Sequence, residues 1–196
     1  MSHFNEAAAQ WDKEDKIKMM QQLAEKTLEK LNITKPIDIL DFGCGTGLFG
    51  LEMAPIAKSI TGIDTSEGML EIFNKKTQNA SHIQSVLIDL EKQNYDKKFD
   101  LIVSSMAFHH LEDPNKMITK LKSMLNPLGH IAIVDLDKED GTFHPDNKAM
   151  GVRHFGFDQD ELSQWAKLNE LTLDHHIINF ISKNQKEYGQ FLAIFH

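Results

Sequence analysis

The sequence predicts a doubly wound α/β domain whose mostly parallel seven-stranded sheet ends in an antiparallel hairpin. Three observations predict it. Short apolar segments alternate with segments of helical period, a glycine-rich loop comes directly after the first apolar segment, and the last two strand-like runs are separated by a polar turn.

From Asp15 to Leu31, apolar residues recur at steps of three and four, which marks an amphipathic helix ended by Asn32 and Pro36. Ile37–Phe42 is short and apolar, as a buried strand is, and Gly47–Ala57 reads as the helix after it. The alternation continues through a strand at Ser59–Asp64, a helix at Ser66–Gln78, strands at Gln84–Ile88 and Phe99–Ser104, a helix at Asn115–Met124 and a strand at His130–Asp135. Asp113-Pro114 supplies an N-cap followed by proline at the first helical position, and Asp158-Gln-Asp-Glu161 has the spacing of a capping box. Thr172–Ile181 and Tyr188–Phe195 then flank the turn Ser-Lys-Asn-Gln-Lys, the pattern of a hairpin. Asp137–Gly156 fits no regular element, and an irregular connection longer than about 12 to 15 residues is usually functional or disordered.

Composition narrows the function classes. The 196 residues suit one domain, and 21 Lys and Arg against 29 Asp and Glu give a formal charge of −8. Scattered acidity argues against a nucleic-acid surface, which draws on clustered cations. The one cysteine, Cys44, excludes an internal disulfide. The polar, acidic N-terminus does not read as a signal peptide, and no apolar run approaches the ~20 residues of a membrane span, so no membrane association and a cytoplasmic location are expected.

Chemistry concentrates around Asp41-Phe-Gly-Cys-Gly-Thr-Gly47. Glycines there allow unusual backbone angles and let a ligand approach the main chain. Gly45-Thr-Gly-Leu-Phe-Gly50 also matches the dinucleotide pattern G-x-G-x-x-G, so the glycines alone leave a nucleotide-dependent oxidoreductase open. Asp64 stands 21 residues beyond Gly43, where a carboxylate can accept from both hydroxyls of a ribose; it can also cap the helix opening at Ser66. Asp41 discriminates between cofactors, because a carboxylate beside the loop suits an ammonium or sulfonium and repels a pyrophosphate. Its alternative role is to bond loop amides.

On these residues the chain resembles the class I, Rossmann-like S-adenosylmethionine-dependent methyltransferases, over nearly its whole length from Phe4. Asp41–Gly47 looks like the family's first motif, around the methionine part of the cofactor, so the resemblance implies cofactor contacts from Asp41, Gly43, Cys44 and Gly45. Gly62-Ile-Asp-Thr-Ser-Glu-Gly-Met69 is similar to the second motif, which implies Asp64 on the ribose with Thr65 and Met69 nearby. Ile88-Asp-Leu90 resembles the segment after the third strand, with Asp89 toward the adenine amino group and Leu90 on its ring. Phe99–Leu111 resembles the fourth-strand motif, and Ser105 joins the cofactor set. The implied reading is a single methyltransferase domain over residues 1–196, with 1–31 as an N-terminal lid and helix, transferring a methyl group from S-adenosylmethionine to a small-molecule acceptor. A cofactor-binding domain without catalysis is the rival from another class. Oligomeric state is not readable.

Methyl transfer from a sulfonium mainly needs the acceptor positioned in a dry site; a base is needed where the acceptor keeps its proton. His109, His110 and His154 are the candidate catalytic residues, the first two just past the fourth strand and the third at the edge of the irregular segment, which His144 also flanks. No metal site is assigned: metal-dependent relatives carry Glu-x-x-Glu-His where this chain has Met106-Ala-Phe-His-His110. Phe4–Trp11 is similar to an aromatic lid, and Phe4 or Trp11 over a sulfonium would make a cation–π contact; a hydrophobic staple on the next helix is the alternative.

Overall fold

A computed structural model describes residues 3–196; residues 1 and 2, where the expected lid begins, lie outside the described part. The chain opens with α1 (His3–Ala7), a 3₁₀ turn at Ala8–Gln10 and α2 (Glu14–Leu31). Next come β1 (Ile37–Phe42), β2 (Ala57–Asp64), α3 (Glu67–Thr77), β3 (Ile83–Leu87) and β4 (Phe99–Ser105). The second half comprises α4 (Pro114–Ser123), β5 (Leu125–Leu136), α5 (Gln159–Leu168), β6 (Leu173–Lys183) and β7 (Lys186–Phe195). No helix among the described residues is long and apolar enough to cross a membrane.

One sheet holds all seven strands in the order β3-β2-β1-β4-β5-β7-β6. The first five run parallel, and β7 runs antiparallel to both β5 and β6. Asn184 and Gln185, at φ of 55° and 60°, close the β6–β7 hairpin in the left-handed conformation that matches strand twist. The strand order reverses at β1, so the crevice outside the carboxyl ends of β1 and β4 is where such a sheet binds ligands.

Alternate strand residues feed two cores. Leu40, Ile102 and Ile133 pack with α4 and α5 on one face, while Ile39, Leu101, Val103 and Val134 pack with Leu23 and Ala24 of α2 on the other. The N-caps expected at Asp113 and Asp158 form, Asp113 Oδ1 accepting from Lys116 N at 2.9 Å and Asp158 Oδ1 from Glu161 N at 2.8 Å, and the structure adds one at α3, where Ser66 Oγ accepts from Met69 N at 3.2 Å. Each is worth about 1 kcal/mol.

One expected element does not form. Gly47–Ala57 is a run of turns followed by a 3₁₀ helix at Gly50–Ile56. Gly43, Gly45 and Gly47 all sit at positive φ, which holds the chain out of a right-handed helix until past the loop, and Pro55 withholds a helical N–H. Strand β5 begins at Leu125, earlier than the expected His130, and passes through Leu128 at φ 65°.

Candidate active site

A cavity of about 630 Å³ opens at the carboxyl ends of the parallel strands, under α1 and the start of α2. The glycine loop forms its floor, and Gly43 must be glycine twice over: its φ is +68°, and a Cβ there would lie 2.6 Å from Ala107 Cβ in the loop after β4. The two loops that the sequence marks as chemical are thus in contact.

Every candidate cofactor residue lines this cavity: Asp41, Gly43, Cys44, Gly45, Asp64, Thr65, Met69, Asp89, Leu90 and Ser105. Asp41 is buried with its Oδ2 unpartnered, and burial, then the charge of Asp64, pushes its pKa up to about 7. The Gly50 backbone is what favours its ionised form. A Cβ at position 50 would meet Asp41 Oδ2 at 2.0 Å, so Gly50→Ala is expected to cost about 1–3 kcal/mol by overpacking, read as a lowered urea midpoint.

Asp64 performs the helix-opening role that the sequence allowed and keeps capacity for the other. Its Oδ1 accepts from Ser66 N and its Oδ2 from Gly45 N, each at 2.8 Å, which ties the glycine loop to the start of α3. A carboxylate offers about four lone-pair sites, so these bonds leave Asp64 further acceptor capacity. Burial raises its pKa against those bonds. Asp89 is held ionised by a 2.6 Å pair with Lys92 and accepts from Glu91 N at 3.0 Å. Cys44 keeps its proton, since burial and the charges of Asp41 and Asp64 raise its pKa, which makes it a packing residue and not a nucleophile.

His109 and His110 line the other end of the cavity, while His154 does not. His154 Nε2 lies 3.0 Å from Leu111 O and its ring packs on Phe157, so it braces the segment behind the site. His144 takes the place in the cavity that sequence reasoning gave to His154. Its ring centroid is 5.0 Å from that of His109, and burial, reinforced by His109, His110 and Lys183, lowers its pKa to about 4. Among the described residues no three His, Cys, Asp or Glu converge as metal ligands would.

Three features of the site escape sequence reasoning. Asp135, fully buried at the carboxyl end of β5, meets His109 Nδ1 at 2.7 Å. Burial opposes its ionisation, yet the adjacent imidazole holds the carboxyl below its ordinary range. His109 Nε2 is left buried and unpartnered. An acid ending the fifth parallel strand is the signal that could have found it. Met106 adopts φ 55° between Ser105 and Ala107, strain of the kind that gathers at functional sites. Lys16 of α2 also lines the cavity, its Nζ 3.0 Å above the Trp11 ring, so the face of Trp11 carries a cation of the chain itself.

The sequence profile of the methyltransferase-domain family matches residues 13–185. An uncharacterised methyltransferase of Schizosaccharomyces pombe is 37% identical over 135 residues, 61% of this chain and 48% of that protein. A malonyl-[acyl-carrier protein] O-methyltransferase of Acetivibrio thermocellus is 31% identical over 147 residues, 68% of this chain and 50% of its own length. The chain thus spans about half the length of these curated relatives. Among solved structures, that of DhpI with S-adenosylhomocysteine superposes with a TM-score of 0.74 at 18% identity, over 99% of this chain and 93% of that one. The chain belongs to the methyltransferase-domain family and has the class I, Rossmann-like fold of its S-adenosylmethionine-dependent members.

Proposed function

We propose that the protein transfers a methyl group from S-adenosylmethionine to a small-molecule acceptor. The observation that carries this is one cavity lined both by the Asp41–Asp64 side of the glycine loop and by His109, whose buried Nε2 has no partner. The residues fit the cofactor: the orphaned Asp41 Oδ2 suits an α-ammonium, and Asp64 retains acceptor capacity for ribose hydroxyls. Gly45 leaves room over the loop backbone, where the atoms nearest to an added Cβ, Trp11 Nε1 and Met69 Sδ, would be 3.9 and 4.0 Å away. Family membership and the S-adenosylhomocysteine bound by a neighbour of the same fold support this reading. A reducing, cytoplasmic location suits the lone thiol of Cys44.

When bound, the cofactor supplies an electrophilic methyl on a sulfonium. The chain's own part is to exclude water, position the acceptor and take its proton. Ionised Asp135 accepts only, so the proton of the His109 ring sits on Nδ1 and Nε2 keeps a free lone pair. That lone pair receives the proton of an acceptor hydroxyl, and Asp135 offsets the charge that forms on the ring. The neutral imidazole of His144 stands beside it as a second polar contact in a largely apolar surround that includes Phe143 and Met150.

Titration calorimetry with S-adenosylhomocysteine, S-adenosylmethionine and NAD tests the reading. Micromolar binding of the two sulfur compounds and none of NAD is expected; binding of NAD alone would overturn it. A screen of metabolite extracts for labelled methyl transfer then identifies the acceptor.

A further inference from the structure

Strand β6 closes one end of the sheet. It pairs antiparallel with β7 from Leu173 to Lys183, and among the described residues no strand pairs with its outer edge. An open edge of this length is a template for another strand, and proteins usually blunt such edges with proline, charges or a covering element. β6 holds no proline, and Ile177 and Phe180 stand 41% and 62% exposed on it. Lys26 of α2 donates to the Ile178 carbonyl, at the middle of the strand.

The pairing with β7 fixes which β6 side chains share a face. Ile177 lies opposite Phe191 and Phe180 opposite Gly189, two residues apart on β7, so both belong to the face of Phe191, where α4 and α5 pack. Asp174 lies opposite Ile194 and Lys183 opposite Lys186, again an even number of residues apart, so these two share the other face. Ile178 is the extra residue of a bulge, because Ile177 and Asn179 oppose the consecutive residues Phe191 and Gln190. Counted outward from that bulge, Ile177 and Phe180 stand one step away on either side, and Asp174 and Lys183 four steps away. The strand is therefore complementary to itself. Laid antiparallel against a second copy about a two-fold axis at the bulge, it sets Ile177 against Phe180 of the copy and Asp174 against Lys183 of the copy, each contact being made twice.

The two charges can take such partners. Lys183 Nζ donates to Phe143 O at 2.6 Å, which uses one of its three hydrogens, and among the described residues it has no carboxylate at salt-bridge distance. Asp174 is exposed, and its ion partner is His196 Nε2 at 3.6 Å. A formal charge of −8 on each chain opposes association in general, so paired opposite charges at this edge select one register from the rest. We propose that two copies of the chain associate by antiparallel pairing of their β6 strands, which joins two seven-stranded sheets into one. Pairing about a two-fold axis uses the same edge of both copies and closes at two. The association stands apart from the methyl-transfer reading and does not depend on it.

Sedimentation equilibrium of the full chain, from about 1 to about 200 µM, tests the pairing. Wild type should fit a monomer–dimer equilibrium with a Kd inside that range. Phe180→Glu, at an exposed side chain, should stay monomeric throughout, with circular dichroism confirming that it is folded. Leu128→Glu, at a side chain 96% exposed on β5, should dimerise as wild type does. The register is tested by reversing charges. Asp174→Lys alone, or Lys183→Asp alone, places like charges opposite one another twice per dimer and should raise Kd by about 10-fold or more. An equimolar mixture of these two proteins restores both opposite-charge pairs across a mixed dimer, and should associate within about threefold of wild type. Four results overturn the proposal: a wild type that is monomeric throughout, one that grows beyond two copies, equal effects of Phe180→Glu and Leu128→Glu, or a mixture that associates no more tightly than its separate components.

Discussion

Replacing Asp41 with asparagine is expected to stabilise the unliganded protein above pH 7 while removing most of its affinity for S-adenosylhomocysteine. The carboxyl is buried, and its pKa is raised from 3.8 to about 7 by burial and by Asp64. Between those values the folded state holds a proton that the unfolded state has released. By linkage, stability then falls as pH rises through this window. A shift of about three units corresponds to about 4 kcal/mol. Asn is uncharged at every pH, so its advantage over Asp should grow by up to about 4 kcal/mol from pH 4 to pH 8. Any fixed cost of burying the amide, about 1–3 kcal/mol, cancels in that difference. Urea unfolding of both proteins at the two pH values measures it. Equal pH dependence of the two would show that Asp41 is ionised in the unliganded fold at no cost. The cofactor affinity moves the other way, because the α-ammonium loses the only counter-charge proposed for it. Stability is sacrificed at this position for a binding site, a trade common where function needs an uncompensated group.

The order of elements was legible because the parallel strands contain short apolar runs and α3, α4 and α5 each carry their own cap. Ser66, Asp113 and Asp158 act locally, within three residues, and local chemistry is what a sequence displays. The cofactor side of the site was legible for a related reason: Asp41, Asp64 and Asp89 all lie at or just beyond the carboxyl ends of the first three strands, where parallel topology directs them to one crevice. The missing helix after the glycine loop reflects a contest between apolar periodicity and positive φ, which the backbone settles. The acceptor side was harder to read because its partners are distant in sequence. Asp135 reaches His109 across 26 residues, and His144 enters the cavity from an irregular segment with no period to fix which of its histidines points inward. His154 is that segment's other histidine, and it is held outward by Leu111 O. Lys16 looked like one more polar residue on an amphipathic helix; only its depth in the cavity sets it apart.

Asp135→Asn is expected to lower kcat by about 10²- to 10⁴-fold for a hydroxyl-bearing acceptor, with affinity for S-adenosylhomocysteine within about twofold of wild type. The carboxylate is surrounded by donors: Oδ1 accepts from His109 Nδ1 at 2.7 Å and Leu136 N at 2.7 Å, and Oδ2 accepts from His109 N at 3.3 Å. An amide cannot serve all three. If its NH₂ faces the imidazole, the ring proton moves to Nε2 and the base is blocked. If its oxygen faces the imidazole, the tautomer survives, but the ring loses the negative charge that stabilises it once it has taken a proton. Both arrangements slow proton removal, and neither touches the glycine loop. The ¹⁵N shifts of His109 separate the two, since a blocked Nε2 reads as protonated. Turnover then distinguishes acceptor classes. An acceptor that arrives already ionised, such as a carboxylate, needs no base, and Asp135→Asn should process it at close to the wild-type rate. A hydroxyl acceptor methylated at that rate by Asp135→Asn would remove His109 from the reaction.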